Sequence, residues 1–139
     1  MISMPDLEPI GRVASPLTNR HAAPKQGIEG APDAWIEVLP KFRDAARDLR
    51  VGNAVLVLTW LHESDRSVQV VHPRSDPNAA QRGVFSSRSP DRPNPIGIHR
   101  VTITAVDESG LRFRVRDLEA IDGTPIVDIK PVLDRRIER

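Results

Sequence analysis

The sequence predicts a small, mostly antiparallel β-barrel of about seven strands with one short helix and no Rossmann unit. Three observations carry this. Two neighbouring segments alternate with period two: Val101, Ile103 and Ala105 against Thr102 and Thr104, then Leu111, Phe113 and Val115 against Arg112, Arg114 and Arg116. The run Ala54–Leu61 is almost wholly β-branched or aliphatic, as expected of a strand buried on both faces. Finally, 13 prolines spread through 139 residues cut the chain into short pieces and leave little room for helix. This length supports one core, so residues 1–139 are expected to form a single domain.

In chain order, Ile10–Ala14 is a short apolar segment. It is followed by a loop whose Ser15-Pro16, Pro24-Lys25-Gln26-Gly27 and Ala31-Pro32 exclude regular structure. Ala34–Leu39 reads as a strand. Pro40–Leu49 suits a short helix, with Pro40 in its first turn and Phe42, Ala45, Ala46 and Leu49 spaced for one face. After Ala54–Leu61, Val68–Val71 supplies a further short strand. Arg82–Ile98 holds three prolines, three arginines and an asparagine, and reads as neither helix nor central strand. Each proline fixes its own φ and keeps the preceding residue extended, so the segment is a stiff loop. The alternating strands follow, joined by Asp107-Glu-Ser-Gly110 at hairpin length. Asp122-Gly123 marks another turn before a last strand, Thr124–Ile129, stopped by Pro131.

Composition narrows the function. A net charge of +1 argues against a strongly basic nucleic-acid scaffold while allowing arginines to gather on one face. The absence of cysteine removes disulfides, thiolate nucleophiles and cysteine-ligated metal centres. Neither Gly-x-Gly-x-x-Gly nor the P-loop pattern occurs, which disfavours Rossmann and P-loop chemistry. The four histidines, His21, His62, His72 and His99, lack metal-site spacing, and no metal is expected. Met1–Pro9 does not read as a secretory signal, and the longest apolar run is far short of the roughly 20 residues that span a bilayer. A cytoplasmic location with no membrane contact is the expectation.

Several polar groups admit two readings each. His62 is either a strand-end histidine with one backbone hydrogen bond or a group lining a site. Arg112, Arg114 and Arg116 are either the solvated face of a strand or phosphate contacts. Arg88 and Arg92, around Ser89-Pro90-Asp91, form either a salt-bridged surface turn or, with Asn94, a rigid recognition element for a carboxylate, phosphate or ribose. Gly97 suggests a close approach. Asp128 and Lys130, on one strand face with Ile126, are either a surface ion pair or, with Thr124, part of a pocket wall.

At Gly83-Val-Phe-Ser-Ser-Arg-Ser-Pro-Asp-Arg-Pro-Asn-Pro-Ile-Gly97 and Asp122-Gly-Thr-Pro-Ile-Val-Asp-Ile-Lys-Pro131 the chain resembles the tRNA methyltransferase O, or TsaA-like, family. Weaker agreement appears at Ile10-Gly11, Ser15-Pro16, Trp60-Leu-His62 and Pro24-Lys25-Gln26, where the family usually has Pro-Arg-Gln. In order and spacing the likeness covers roughly residues 8 to 133.

The resemblance implies a barrel that binds S-adenosylmethionine in a non-Rossmann manner, usually as a homodimer with the cofactor near the subunit contact. It also implies N6-methylation of threonylcarbamoyl-adenosine next to the anticodon of tRNA. By motif, Ser87, Arg88, Arg92, Pro93 and Asn94 belong to the cofactor loop. Leu118, Thr124, Pro125 and Asp128 line the opposite wall, with Lys130 and His62 nearby. Asp128 and His62 are then candidate bases, with Lys130 and Arg88 as charge partners. Many members carry a further C-terminal domain; this chain, which ends at Arg139, is expected to be the cofactor domain without that extension. Alternative acceptors and roles are a small-molecule substrate, or cofactor binding without turnover.

Overall fold

The computed structural model describes residues 2–18, 33–72 and 76–133. Among these, eight strands form: β1 (Gly11–Ala14), β2 (Ala34–Val38), β3 (Ala54–Trp60), β4 (Val70–Val71), β5 (Arg82–Gly83), β6 (Ile96–Val106), β7 (Arg112–Arg116) and β8 (Pro125–Pro131). Six close into an antiparallel barrel in the order β1-β2-β7-β6-β3-β8, and β4 pairs with β5 as a separate ribbon. The predicted fold class holds. Pro24–Gly27 and Ala31–Pro32 of the first predicted loop lie outside the described residues.

Inward side chains of all six barrel strands, among them Val13, Ile36, Val57, Ile103, Phe113, Val115 and Ile126, fill the interior. Burial of each large aliphatic side chain contributes on the order of 1.5–3 kcal/mol. The predicted helix is shorter than its pattern: a 3-10 turn at Pro40–Phe42 leads into α1 (Arg43–Ala46). Ala46 is buried, and Phe42 and Leu49 pack on the core, but Ala45 faces solvent. So short a helix has little stability of its own and is held by these contacts.

Three sequence expectations are corrected. The strand after the stiff loop begins at Ile96, so the loop's last residues pair with β3, Trp60 opposite Ile96 and Thr59 opposite Gly97. β3 is buried on one face, through Val55, Val57 and Thr59; its outward Leu56, Leu58 and Trp60 are only partly covered. Alternation also fails twice, each time at a bulge. In β8, Leu58 pairs with Asp128 but Thr59 pairs with Ile126, leaving Val127 as an extra residue. Ile126 and Ile129 therefore both pack inward, while Asp128 and Lys130 lie on the outer face rather than sharing the face of Ile126. In β6, Thr104 is the extra residue, so Ala105 moves off the inner face and Val106 replaces it. Bulges sharpen local twist, which favours closure of a small barrel.

His99 occupies the inner face of β6, where its Nε2 shares a 2.9 Å hydrogen bond with the buried Thr59 hydroxyl. A Cβ on Gly97 would stand 2.6 Å from Thr59 Oγ1 and 2.9 Å from His99 Nε2, so the missing side chain makes room for the imidazole. Burial lowers the His99 pKa from 6.5 to about 4. The unfolded chain therefore takes up this proton first, and the stability contribution, complete above pH 6.5, declines as the pH falls toward about 4. Urea midpoints are expected to reveal a loss of about 2 kcal/mol over that window, and His99→Gln is expected to flatten the profile. An equally steep profile in the variant would assign the loss to other groups.

Candidate functional site

The loop from Val84 to Pro95 is built from its own polar groups. Val84–Ser86 forms a 3-10 turn with Val84 buried, and Ser87 N–H closes it on the Val84 carbonyl at 3.1 Å. Ser87 Oγ then accepts Ser89 N–H, and Ser89 Oγ accepts Asp91 N–H, both at 3.2 Å. Short hydroxyl side chains stabilise such successive turns by standing in for backbone acceptors. Arg92 is the centre of the loop. Its Nε donates to the Ser89 carbonyl at 2.8 Å, and its Nη2 donates to the carbonyls of Val84 and Ser87. Much of this guanidinium is thus spent on bracing the loop. Arg88 is exposed and has no hydrogen-bond or ion-pair partner among the described residues.

A second loop, after β3, stitches the first to the barrel. Arg66 Nε donates to the Pro93 carbonyl at 2.7 Å, its Nη2 donates to Asn94 Oδ1 at 2.9 Å, and its guanidinium lies 5.2 Å from the Trp60 ring centroid. Asp65 N–H donates to Asp91 Oδ1 at 2.9 Å. Neither Arg66 nor Asp65 stands out in the sequence, because a loop-to-loop contact has no periodicity. The exposed Phe85, at 86%, is likewise unmarked in the sequence except as an aromatic beside a stiff turn.

The two motif blocks flank β3, where Gly97 of the first and Ile126 of the second both stand opposite Thr59. β3 lies between β6 and β8, and its outward residues form rows with theirs: Asp128, Leu58, Ile98, and then Lys130, Leu56, Arg100. Ile96 stands opposite Trp60 beside the loop. Lys130 Nζ is 3.0 Å from Asp128 Oδ2, while Asp128 Oδ1 accepts Ile129 N–H at 2.9 Å, so the carboxylate is fixed in direction. A shallow groove of about 520 Å³ continues along Leu56, Arg100, Lys130 and Pro131 to Leu133. The arrangement joins a carboxylate, exposed cations and an apolar floor, chemistry suited to a ligand with both charged and apolar parts.

The other anticipated residues are placed differently. His62 is exposed in the turn after β3 and has no partner among the described residues. Pro125 is partly covered at the start of β8. Leu118 is 0% exposed within the core, and Thr124 is 1% exposed with its hydroxyl donating to the Ile121 carbonyl at 2.7 Å. Both are buried and present no side-chain surface. Lys25 lies outside the described residues.

A family model described as the tRNA-methyltransferase O N-terminal domain matches residues 12–136. The chain is 42% identical over 125 residues to a probable S-adenosyl-L-methionine-binding protein of Methanothermobacter thermautotrophicus, covering 90% of this chain and 88% of that protein. It is 38% identical over 125 residues, 90% of this chain, to a probable S-adenosyl-L-methionine-binding protein of Archaeoglobus fulgidus, of which it spans 33%. A crystal structure of TrmO from Pseudomonas aeruginosa superposes with a TM-score of 0.73 at 28% identity, covering 94% of this chain and 57% of that one.

Proposed function

The chain belongs to the tRNA-methyltransferase O N-terminal domain family, and on that premise we propose that it binds S-adenosylmethionine on the outer face of β8, β3 and β6 and methylates N6 of threonylcarbamoyl-adenosine next to the anticodon of tRNA. The observation that supports this most is the convergence of the Gly83–Gly97 and Asp122–Pro131 blocks across three adjacent strands. The residues present fit the cofactor. Arg88, unpaired among the described residues, suits its carboxylate; Asn94 suits polar groups of the nucleoside; Leu58, Ile96 and Ile98 provide an apolar floor. Ser87, Arg92 and Pro93 hold the loop that presents them.

When bound, S-adenosylmethionine supplies an electrophilic methyl group on a sulfonium sulfur. Asp128 and His62 are the groups of this chain that can take the proton released by an amide-like N–H acceptor, and Lys130 holds the Asp128 carboxylate in place. The exposed Phe85, at 86%, favours packing against a second copy of the chain beside the loop. Sedimentation velocity reads this: a species of monomer mass at all concentrations removes the dimer from the proposal.

Titration calorimetry with S-adenosylmethionine and its demethylated product tests the cofactor assignment, and binding of neither overturns it. Mass spectrometry of tRNA nucleosides after incubation with the protein tests the acceptor. A second reading, cofactor binding with a small-molecule acceptor or no turnover, is favoured by the archaeal relative of similar length that is named for binding alone. It replaces the first if the cofactor binds but threonylcarbamoyl-adenosine stays unmethylated.

Arg92→Lys is expected to weaken cofactor binding by about tenfold or more, because one ammonium cannot span the carbonyls of Val84, Ser87 and Ser89. Calorimetry on the folded variant decides; affinity equal to wild type means the prolines alone hold the loop.

A further inference from the structure

The barrel face opposite this site is built from arginine. Across β1, β2 and β7 the register aligns Arg12, Glu37 and Arg112 in one outer row, and Trp35 with Arg114 in the next. Glu37 bridges both arginines of the first row: Oε1 accepts Arg12 Nε and Oε2 accepts Arg112 Nε, each at 2.9 Å. Using only Nε, this carboxylate orients two guanidinium groups and leaves their terminal Nη donors available. Arg112 also lies 4.6 Å from the Trp35 ring centroid. Arg114 pairs with Asp33 at 3.0 Å through one Nη, and the exposed Arg116 has no ion-pair partner among the described residues.

We propose that this β1–β2–β7 face binds the sugar–phosphate backbone of RNA. Arg112, Arg114 and Arg116 recur on one side of β7 with a step of about 7 Å, suited to tracking successive phosphates of a strand. Guanidinium groups held flat by a shared carboxylate are ordered in advance, which lowers the entropic cost of binding. Arg12, Arg112, Arg114 and Arg116 outnumber Glu37, Asp33 and Asp107, the last of which faces Arg112, and so leave a local positive surplus. Arg112 over Trp35 adds the planar cation and aromatic character that RNA-binding surfaces use. The inference bears on the tRNA acceptor named above but rests on different residues, so either can fail alone.

The test is fluorescence anisotropy of the full chain with a labelled RNA hairpin of anticodon-arm size over a salt series. Wild type is expected to bind with an affinity that falls as salt rises. Arg116→Glu is expected to bind about tenfold more weakly, with a salt slope smaller by about one, at unchanged melting temperature and S-adenosylmethionine affinity. Arg47→Glu is the control. Arg47 is 71% side-chain exposed at the end of α1, outside strands β1, β2 and β7, and its replacement is expected to change RNA affinity by less than about twofold. No RNA binding by wild type, equal affinity of Arg116→Glu, or an equal loss in Arg47→Glu overturns the proposal. Displacement of RNA by polyglutamate as readily as by unlabelled RNA does so too, by assigning the face to acidic protein.

Discussion

Asp128→Asn is expected to slow methyl transfer in a single turnover by about a hundredfold or more, and His62→Ala by about tenfold. Asparagine keeps the size of the side chain and an oxygen acceptor for the Ile129 N–H, losing only the half-exposed Lys130 contact, so the variant tests proton acceptance rather than folding. Cofactor affinity in both variants is expected to stay within about threefold, which places the loss in the reaction itself. Retention of the wild-type single-turnover rate by both variants would show that neither side chain is the base, leaving solvent or the RNA to take the proton.

Gly11→Ala is expected to destabilise the fold by about 3 kcal/mol or more. A Cβ at this position would sit 2.2 Å from the Glu37 carbonyl oxygen and 3.1 Å from the Val38 Cα. These are backbone atoms, and β2 cannot retreat from β1 without disturbing its ladder to β7, where Glu37 stands opposite Arg112. At Gly97, by contrast, the nearest atoms are side-chain atoms, Thr59 Oγ1 and His99 Nε2, rather than backbone. A urea midpoint within about 0.5 kcal/mol of wild type would mean that β1 and β2 stand further apart than described.

The hairpin of β6 and β7 was legible because period-two alternation and a short polar turn are local signals. Closure of the barrel was legible only as a class, since no local pattern tells which edge strands meet. The bulges were not legible at all: Thr104 and Val127 are ordinary strand residues, and only the pairing partner reveals that one is surplus. β3 misled in a related way. An aliphatic run reads as doubly buried whether its second face meets the same chain or stands partly open, as Leu56 and Leu58 do.

For the site, the prolines foretold a stiff loop, but not that Arg92 would be turned inward to bind its carbonyls while Arg88 stayed outside. The family likeness pointed to the two blocks and could not resolve that the Leu118 and Thr124 side chains are buried. Arg66, which ties Pro93 and Asn94 to the barrel, was beyond reach because its role depends on two loops meeting.

The surplus residue at Val127 makes β8 a strand read in two frames. Ile126 enters the interior in the first and Ile129 in the second, so Asp128 and Lys130 gain an outward position without surrendering an apolar one. A designer transplanting this Asp-Ile-Lys segment into another barrel would have to carry the frame shift with it. On a regular strand, Asp128 would share its side with Ile126, and either the carboxylate would enter the core or the isoleucine would leave it.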